Sequence, residues 1–465
     1  VGTARAPACG GVSASPFPQA LRQALDCLGW RPEHLAERLN TLAGLQGRPE
    51  RLHAKTPYKW LNGSRPRKPW PTLLTALLDD HLPVPLAPTD LGLDADEEEL
   101  LPASSGLVLP WTAAGGLQAA RILASTEENR HLFLTLVGPS LTCPAHEWLI
   151  ARTCPSPERP DGCDLPGEIV DQLDLITAGL RRMDDQLGGG TLQSLLGAHL
   201  RGAVGMMAER RYGAALGRRL FTTVAEILRL GGFLAFDAGL HARAQRFWTA
   251  ALHVSHAAGD RAVGANVLGL MSCQAKDLGR VREAITLAES ARSGYPGGSG
   301  RVRAILDLRA AEAHATGGDH TSCRRAVDSA FERLCAPPSP ADPDWSYWMD
   351  VPQANGQAGF CFLRLGRWNA ALRHLRASLR DRGSVPRETA LRQTLLATVY
   401  ARRPRPDLDQ AIDLGSRALD TLTCQVRSAR VAASVTALAH HLAPYRRTPA
   451  VHTFIDRVHA LSRAS

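Results

Sequence analysis

G-L-H-A-R-A-Q-R-F-W-T-A-A at residues 239–251 and G-R-V-R-E-A-I-T-L-A-E-S-A at 279–291 follow one plan. A turn glycine is followed five residues later by an alanine, and small or apolar residues stand four and seven positions beyond that. The plan gives Gly239, Ala244, Trp248, Ala251, then Gly279, Ala284, Ala288, Ala291. It returns as Gly318, Cys323, Val327, Ala330 and as Gly366, Ala371, Leu375, Ser378. A fifth copy, Ala411, Gly415, Ala418, lacks the leading glycine. The alanine-type positions are 40, 39, 48 and 40 residues apart. Spacings of four and seven put these residues on one helical face, and small side chains there let neighbouring helices approach closely. Self-similarity at such a period marks a stack of helix pairs, each burying its apolar face on the next. From Glu168 onward the pattern is almost continuously helical, so residues 167–465 are predicted to form an all-α solenoid.

Composition agrees. Aromatic residues make up 5% of the 465 residues while Ala and Leu abound, a mix that favours packed helices over sheets. A chain this long calls for two or three structural units. Ten cysteines are scattered without a C-x-x-C pair, residues 1–20 hold no apolar run, and no stretch is apolar enough to span a bilayer. A cytoplasmic setting, without membrane contact or structural disulfides, is expected.

The repeat resembles the tetratricopeptide repeat, whose usual period is nearer to about 34 residues. Gly232 and Gly359 match its small position in the first helix of a unit. Such stacks curve around a concave face that holds peptides, proteins or small molecules. Mapping first-helix positions onto that face selects Arg229, Phe233, Phe236, Asn266, Lys276, Glu312, Phe360 and Tyr400. The long third interval comes from Pro337 to Asp350, a loop holding Trp345 and Trp348 that is expected to pack over the array, with a contribution to a partner site as the alternative.

The N-terminal third reads differently. Residues 1–16 are small, Gly- and Pro-containing and read as a disordered tail. Phe17, Leu21, Ala24, Leu25 and Leu28 then form one apolar stripe, and Pro32 opens a second helix burying Leu35, Ala36 and Leu39. In Thr56-Pro57-Tyr58-Lys59-Trp60-Leu61-Asn62-Gly63 the threonine suits an N-cap and the glycine a helix stop, with Trp60 and Leu61 facing inward. A fourth helix from Pro71 offers Leu73, Leu74, Leu77 and Leu78. Between Arg48 and Lys68 stand seven basic residues and one acidic one, which supply +6 of the chain's +9. A basic patch so concentrated points to a polyanion.

R-P-E-H-L-A-E-R-L-N at 31–40 followed by T-P-Y-K-W-L-N-G-S-R-P-R at 56–67 resembles the repressor-type helix-turn-helix. With P-W-P at 69–71, P-T-D-L-G-L at 88–93, G-D-R-A-V-G-A-N-V-L-G-L-M-S at 259–272 and L-A-P-Y-R-R-T-P-A-V at 442–451, the chain looks more narrowly like a group of actinobacterial regulators. These join such a domain to tetratricopeptide-like repeats, and some control sporulation and antibiotic production. The resemblance implies an all-α protein, with an N-terminal helix-turn-helix domain over 17–93 followed by a tetratricopeptide-like α-solenoid. It implies double-stranded DNA as partner and a homodimer, since two reading helices one DNA turn apart require one. Lys55, Tyr58, Lys59 and Asn62 are then candidate base readers, and Arg48, Arg51, Arg65, Arg67 and Lys68 candidate phosphate contacts. The connection before the third helix is longer than in the ordinary motif, and Pro57 fixes where that helix begins. A protein-interaction adaptor without DNA binding is the alternative.

Residues 94–166 read as a linker and irregular connector, opening on five carboxylates in the six positions Asp94–Glu99. E-E-N-R-H-L-F-L-T at 127–135 keeps Arg130 alone of a twin-arginine-like pair. Cys143, His146, Cys154 and Cys163 have spacings that fit no usual zinc pattern, so no metal is expected. The sequence shows no nucleotide-loop, nucleophile-elbow or zinc-protease signature in a supporting context, and neither catalysis nor a cofactor is predicted.

Overall fold

The computed structural model describes residues 16–28, 30–45, 50–67, 69–81, 107, 109–125, 135–380 and 385–464. The expectations placed on the first fifteen residues, Arg48, Lys68, the acidic run 94–99 and Arg130 lie outside them. The described residues hold twenty α-helices and no strand. Two isolated bridges, Arg159 with Tyr212 and Asp164 with Arg211, join a turn to a helix end. The chain divides into two compact units.

The first unit contains α1 (Pro16–Leu28), α2 (Pro32–Leu45), α3 (Thr56–Leu61) and α4 (Trp70–His81). Its core is Phe17, Leu21, Leu25, Leu35, Leu39, Trp60, Leu74 and Leu78 with their smaller neighbours, the stripes the periodicity marks. Two locks carry no periodic signal. The Asn40 amide donates to the Leu52 carbonyl at 2.8 Å and accepts from the Leu52 N–H at 2.6 Å, fixing the long connection on α2. The Tyr58 hydroxyl donates to Glu33 at 2.5 Å, tying α3 to the first turn of α2. Thr56 is not the cap expected of it. Lys55 occupies that position without a side-chain cap, because Pro57 lies in the first turn and shifts the start of the helix.

The second unit opens with α5 (Ala113–Ala124) and α6 (Pro139–Ile150), where an irregular connector was expected. Both pack on the array, as does the turn before α6. Trp148 is fully buried between Gly264 and Gly294, and Arg261 stacks on its ring at 4.0 Å while donating to its carbonyl. Leu136 exchanges hydrogen bonds with the Gln245 side chain. These anchors lie more than a hundred residues away in sequence, so the segment's Pro content outweighs them in a local reading.

Trp111 stacks on His253 with ring centroids 4.1 Å apart. Burial there pushes the His253 imidazole down to about 4, and the neighbouring His256 is lowered too. The unfolded chain takes up a proton near pH 6.5 that folded His253 refuses. Its contribution is therefore complete above that pH and is lost as the pH falls towards 4. Urea titrations from pH 7 to 4 should show His253→Leu losing less stability than wild type, by about 1.4 kcal/mol per pH unit below 6.5.

The array follows as consecutive pairs: α7 (Gly167–Leu187) with α8 (Gly189–Glu209), α9 (Ala214–Asp237) with α10 (His241–Ala258), α11 (Arg261–Asp277) with α12 (Val281–Gly294), and α13 (Gly300–Thr316) with α14 (His320–Leu334). After a 3-10 turn at Asp344–Ser346 come α15 (Val351–Arg364) with α16 (Trp368–Ser378), α17 (Pro386–Arg402) with α18 (Leu408–Cys424), and α19 (Ala429–Leu442) with α20 (Pro449–Ala464). Successive first helices also pack side by side, the arrangement of an α-solenoid.

The repeated glycines have one mechanical role. Gly239, Gly279, Gly318 and Gly366 have φ of 79°, 74°, 78° and 68°, and each closes the first helix of its pair. The amide of each bonds back three residues and the following amide bonds back five, as in Gly239 to Phe236 and Leu240 to Ala235, the double bond of a Schellman stop. Ala244, Ala284, Cys323, Ala371 and Ala411 are all fully buried in the facing helices.

Gly232 meets the same demand from the other side. A Cβ there would lie 2.2 Å from Trp248 Nε1, and Trp248 is fully buried. Gly232→Ala is expected to cost about 2–3 kcal/mol through overpacking. Gly202→Ala, in the exposed interior of α8 with nothing near the new Cβ, should gain about 0.5–1 kcal/mol. Urea denaturation of the two variants reads the opposite signs.

Candidate functional site

Two surfaces carry chemistry. The first surrounds α3. Trp60 is 3% exposed and holds the helix on its unit, while Arg51, Lys55, Lys59, Asn62, Arg65 and Arg67 are exposed. Gly63, with φ of 101°, ends the helix. Its amide bonds to the Trp60 carbonyl and that of Ser64 to the Lys59 carbonyl, and the chain turns so that Arg65 and Arg67 follow closely on Lys59. Tyr58 is exposed, but its hydroxyl is engaged by Glu33, which raises the phenol's pKa and lowers that of the carboxyl. Lys55 precedes the helix and Asn62 caps its end, so Tyr58 and Lys59 are the two outward positions within it.

The second is a cavity of about 700 Å³ inside the array. The first helix of every pair, α7, α9, α11, α13, α15, α17 and α19, contributes to its wall. Seven of the eight residues assigned to the concave face are brought together here: Arg229, Phe233, Phe236, Asn266, Lys276, Glu312 and Phe360. Tyr400 is not. It sits near the end of α17 within the C-terminal core, 4% exposed, and its hydroxyl accepts from Arg376 at 2.6 Å. The mapping carries it one turn too far along the helix. The 337–350 loop both packs and lines: Trp345 is 1% exposed, yet Trp345, Tyr347 and Trp348 all border the cavity. The Tyr347 hydroxyl donates to Asp185 on α7 at 2.5 Å.

The wall is densely charged and almost entirely paired. Lys276 lies 3.0 Å from Asp277 and 3.2 Å from Glu312, and Arg309 lies 3.4 Å from Glu312. Arg430 reaches Asp277 at 3.6 Å. Arg387 grips Asp184 with both terminal nitrogens, at 3.0 and 3.1 Å, and approaches Asp237 at 3.5 Å. The attraction of these carboxylates holds Lys276 and Arg387 above their ordinary ranges despite burial, and Cys273 together with Asp277 does the same for Arg430. Several of the cations also lie over aromatic faces, Lys276 at 4.2 Å from the Phe360 centroid and Arg387 at 4.9 Å from that of Phe233. Cations held this way have little freedom, so the cavity is preorganised.

Sequence reasoning missed Arg309, Arg387, Arg430 and Asp184. Arg387, Arg430 and Asp184 answer partners on other helices, up to 203 residues away for Arg387 and Asp184, and no local spacing encodes such a pair. Arg309 pairs with Glu312 three residues on in its own helix and reaches Cys273 on α11. The four Cys and His residues of the middle segment do not assemble: among the described residues no group of His, Cys, Asp and Glu could hold a metal ion. Nor is any helix of the described residues long and apolar enough to cross a membrane.

Fold and surfaces together define a class: among the described residues, an all-helical protein with a small unit of four helices that has a basic face, and an array of paired helices around a charged cavity. Within it, residues 21–94 match the family described as the SP15 N-terminal domain, a span holding most of α1 and all of α2–α4. No curated protein matches the chain.

Proposed function

We propose that the chain is a sequence-specific DNA-binding transcriptional regulator, acting in development or secondary metabolism, whose tetratricopeptide-like array binds a signal ligand. In this reading the first unit is a helix-turn-helix domain. Helix α3 enters the major groove with Lys59 and Tyr58 towards base edges, and Arg51, Arg65 and Arg67 hold phosphates. The observation that carries the reading is the exposed basic cluster around a short helix whose opposite side is pinned by buried Trp60. A purely structural cap has no use for so many exposed cations on one face. The protein acts as a homodimer, so that two reading helices meet two half-sites one turn apart.

The test is selection from a random duplex library by the full chain at physiological salt. Enrichment of a two-fold symmetric motif supports the reading. Retention of duplexes without sequence enrichment, or no retention, turns it towards an adaptor in which the array is the working part.

A further inference from the structure

Among the cations that line the cavity, Arg229 differs from the rest. It is 7% exposed, and although a buried Nε without a partner is common to the arginines of this wall, Arg229 alone among them makes neither an ion pair nor a hydrogen bond through its guanidinium to the described residues. Desolvation lowers its pKa, the opposite of the direction at Lys276, Arg387 and Arg430. The Trp345 ring lies 5.8 Å from its guanidinium. On the adjoining first helix, the side chain of Asn266 is 2% exposed, also lines the cavity and bonds to no described residue. Glu226, three residues earlier on the same helix, and Asp184 offset part of the cost of burying this guanidinium, but Glu226 is bonded by Arg181 and Asp184 by Arg387, so neither bonds Arg229.

We infer that the cavity binds a small organic monoanion, a carboxylate carried on a flat apolar body, with the carboxylate seated on Arg229 and Asn266. Guanidinium and amide together offer the donors that a carboxylate accepts. Trp345, beside the cation, and Phe233, one helical turn beyond Arg229 on the same wall, give the apolar body its surface. A single charge suits the place. Arg229 brings one cation that no carboxylate bonds, while Asp184, Asp185 and Glu226 stand on or behind the same part of the wall and would repel a phosphate dianion. The volume is that of a site for a small molecule. The inference rests on the array's being the ligand-binding module of the proposed regulator, but its test contains no DNA and so fails or succeeds independently of DNA recognition.

The full chain is titrated by calorimetry with 1-naphthylacetate, its amide 1-naphthylacetamide, and 1-naphthyl phosphate, and its melting temperature is measured without ligand. Wild type should bind the acid at least about tenfold more tightly than the amide or the phosphate, as expected of a charge-assisted contact. Arg229→Met should abolish that preference, and Arg229→Lys should keep most of it. Without ligand, Arg229→Met should melt no lower than wild type, because it removes an unpaired buried charge. No binding of the acid at millimolar concentration, or equal binding of acid and amide, overturns the proposal. So does a clear fall in the melting temperature of ligand-free Arg229→Met, which would make the residue structural. Equal binding of acid and phosphate overturns the assignment of a single charge.

Discussion

Arg387→Met is expected to cost the array about 3–5 kcal/mol, the largest loss of any single cavity substitution. Arg387 on α17 joins elements far apart in the chain. It donates to both oxygens of Asp184 on α7 and approaches Asp237 at the end of α9. Asp237 in turn accepts from Ser428, the N-cap of α19, at 2.7 Å. Asp184 is 3% exposed and Asp237 fully buried, so removing the guanidinium leaves two carboxylates close together and away from water. Methionine fills comparable volume and isolates the electrostatic part of the loss. Adding Asp184→Asn should return a good share of it, since one of the stranded charges is gone; a double-mutant cycle by urea denaturation measures the coupling. The variant should also change its response to pH. Burial already raises the Asp184 carboxyl above its ordinary range, and without Arg387 the main opposition to that is gone. The folded state then holds a proton that the unfolded chain releases, so the variant loses stability as the pH rises from 5 to 8.

Changing Lys59, Arg65 and Arg67 together to Ala should weaken duplex binding by about 10²–10³-fold at physiological salt. All three are exposed and lie outside the core of their unit, so melting should be almost unchanged. Two of them, Arg65 and Arg67, are assigned to phosphates. Their loss should flatten the slope of log affinity against log salt by about 2, one counterion per contact. Lys59 is assigned to a base edge, so Lys59→Ala alone should relax sequence preference while leaving most of the slope. Fluorescence anisotropy across a salt series separates the two roles. An equal loss at every salt concentration would contradict the phosphate assignment.

What was legible in the sequence followed from local chemistry. The Gly239, Gly279, Gly318 and Gly366 turns were readable because a left-handed residue closing a helix leaves a glycine at a fixed distance from the next small residue. The core of the first unit was readable for a similar reason, since Leu35, Leu39, Leu74 and Leu78 recur at the helical period. Once the first helices were located, the register of the concave face followed, and seven cavity residues came with it. Helices α5 and α6 were not legible. Their packing depends on Trp111 meeting His253 and on Trp148 filling the space left by Gly264 and Gly294, contacts without any local period. The polar locks, Asn40 on Leu52 and Tyr58 on Glu33, were hidden in the same way. Tyr400 shows how quickly a helical register drifts out of a cavity: near the end of α17 its side chain turns into the neighbouring core.

Recognition of DNA by this chain is proposed to run through the surface around α3. Genome-wide immunoprecipitation of the tagged full chain, run beside the Lys59, Arg65, Arg67 triple variant, tests it most directly. Discrete peaks sharing a two-fold symmetric motif, lost in the triple variant at equal protein level, are the predicted result. A flat wild-type profile, or peaks that survive in the variant, would contradict it.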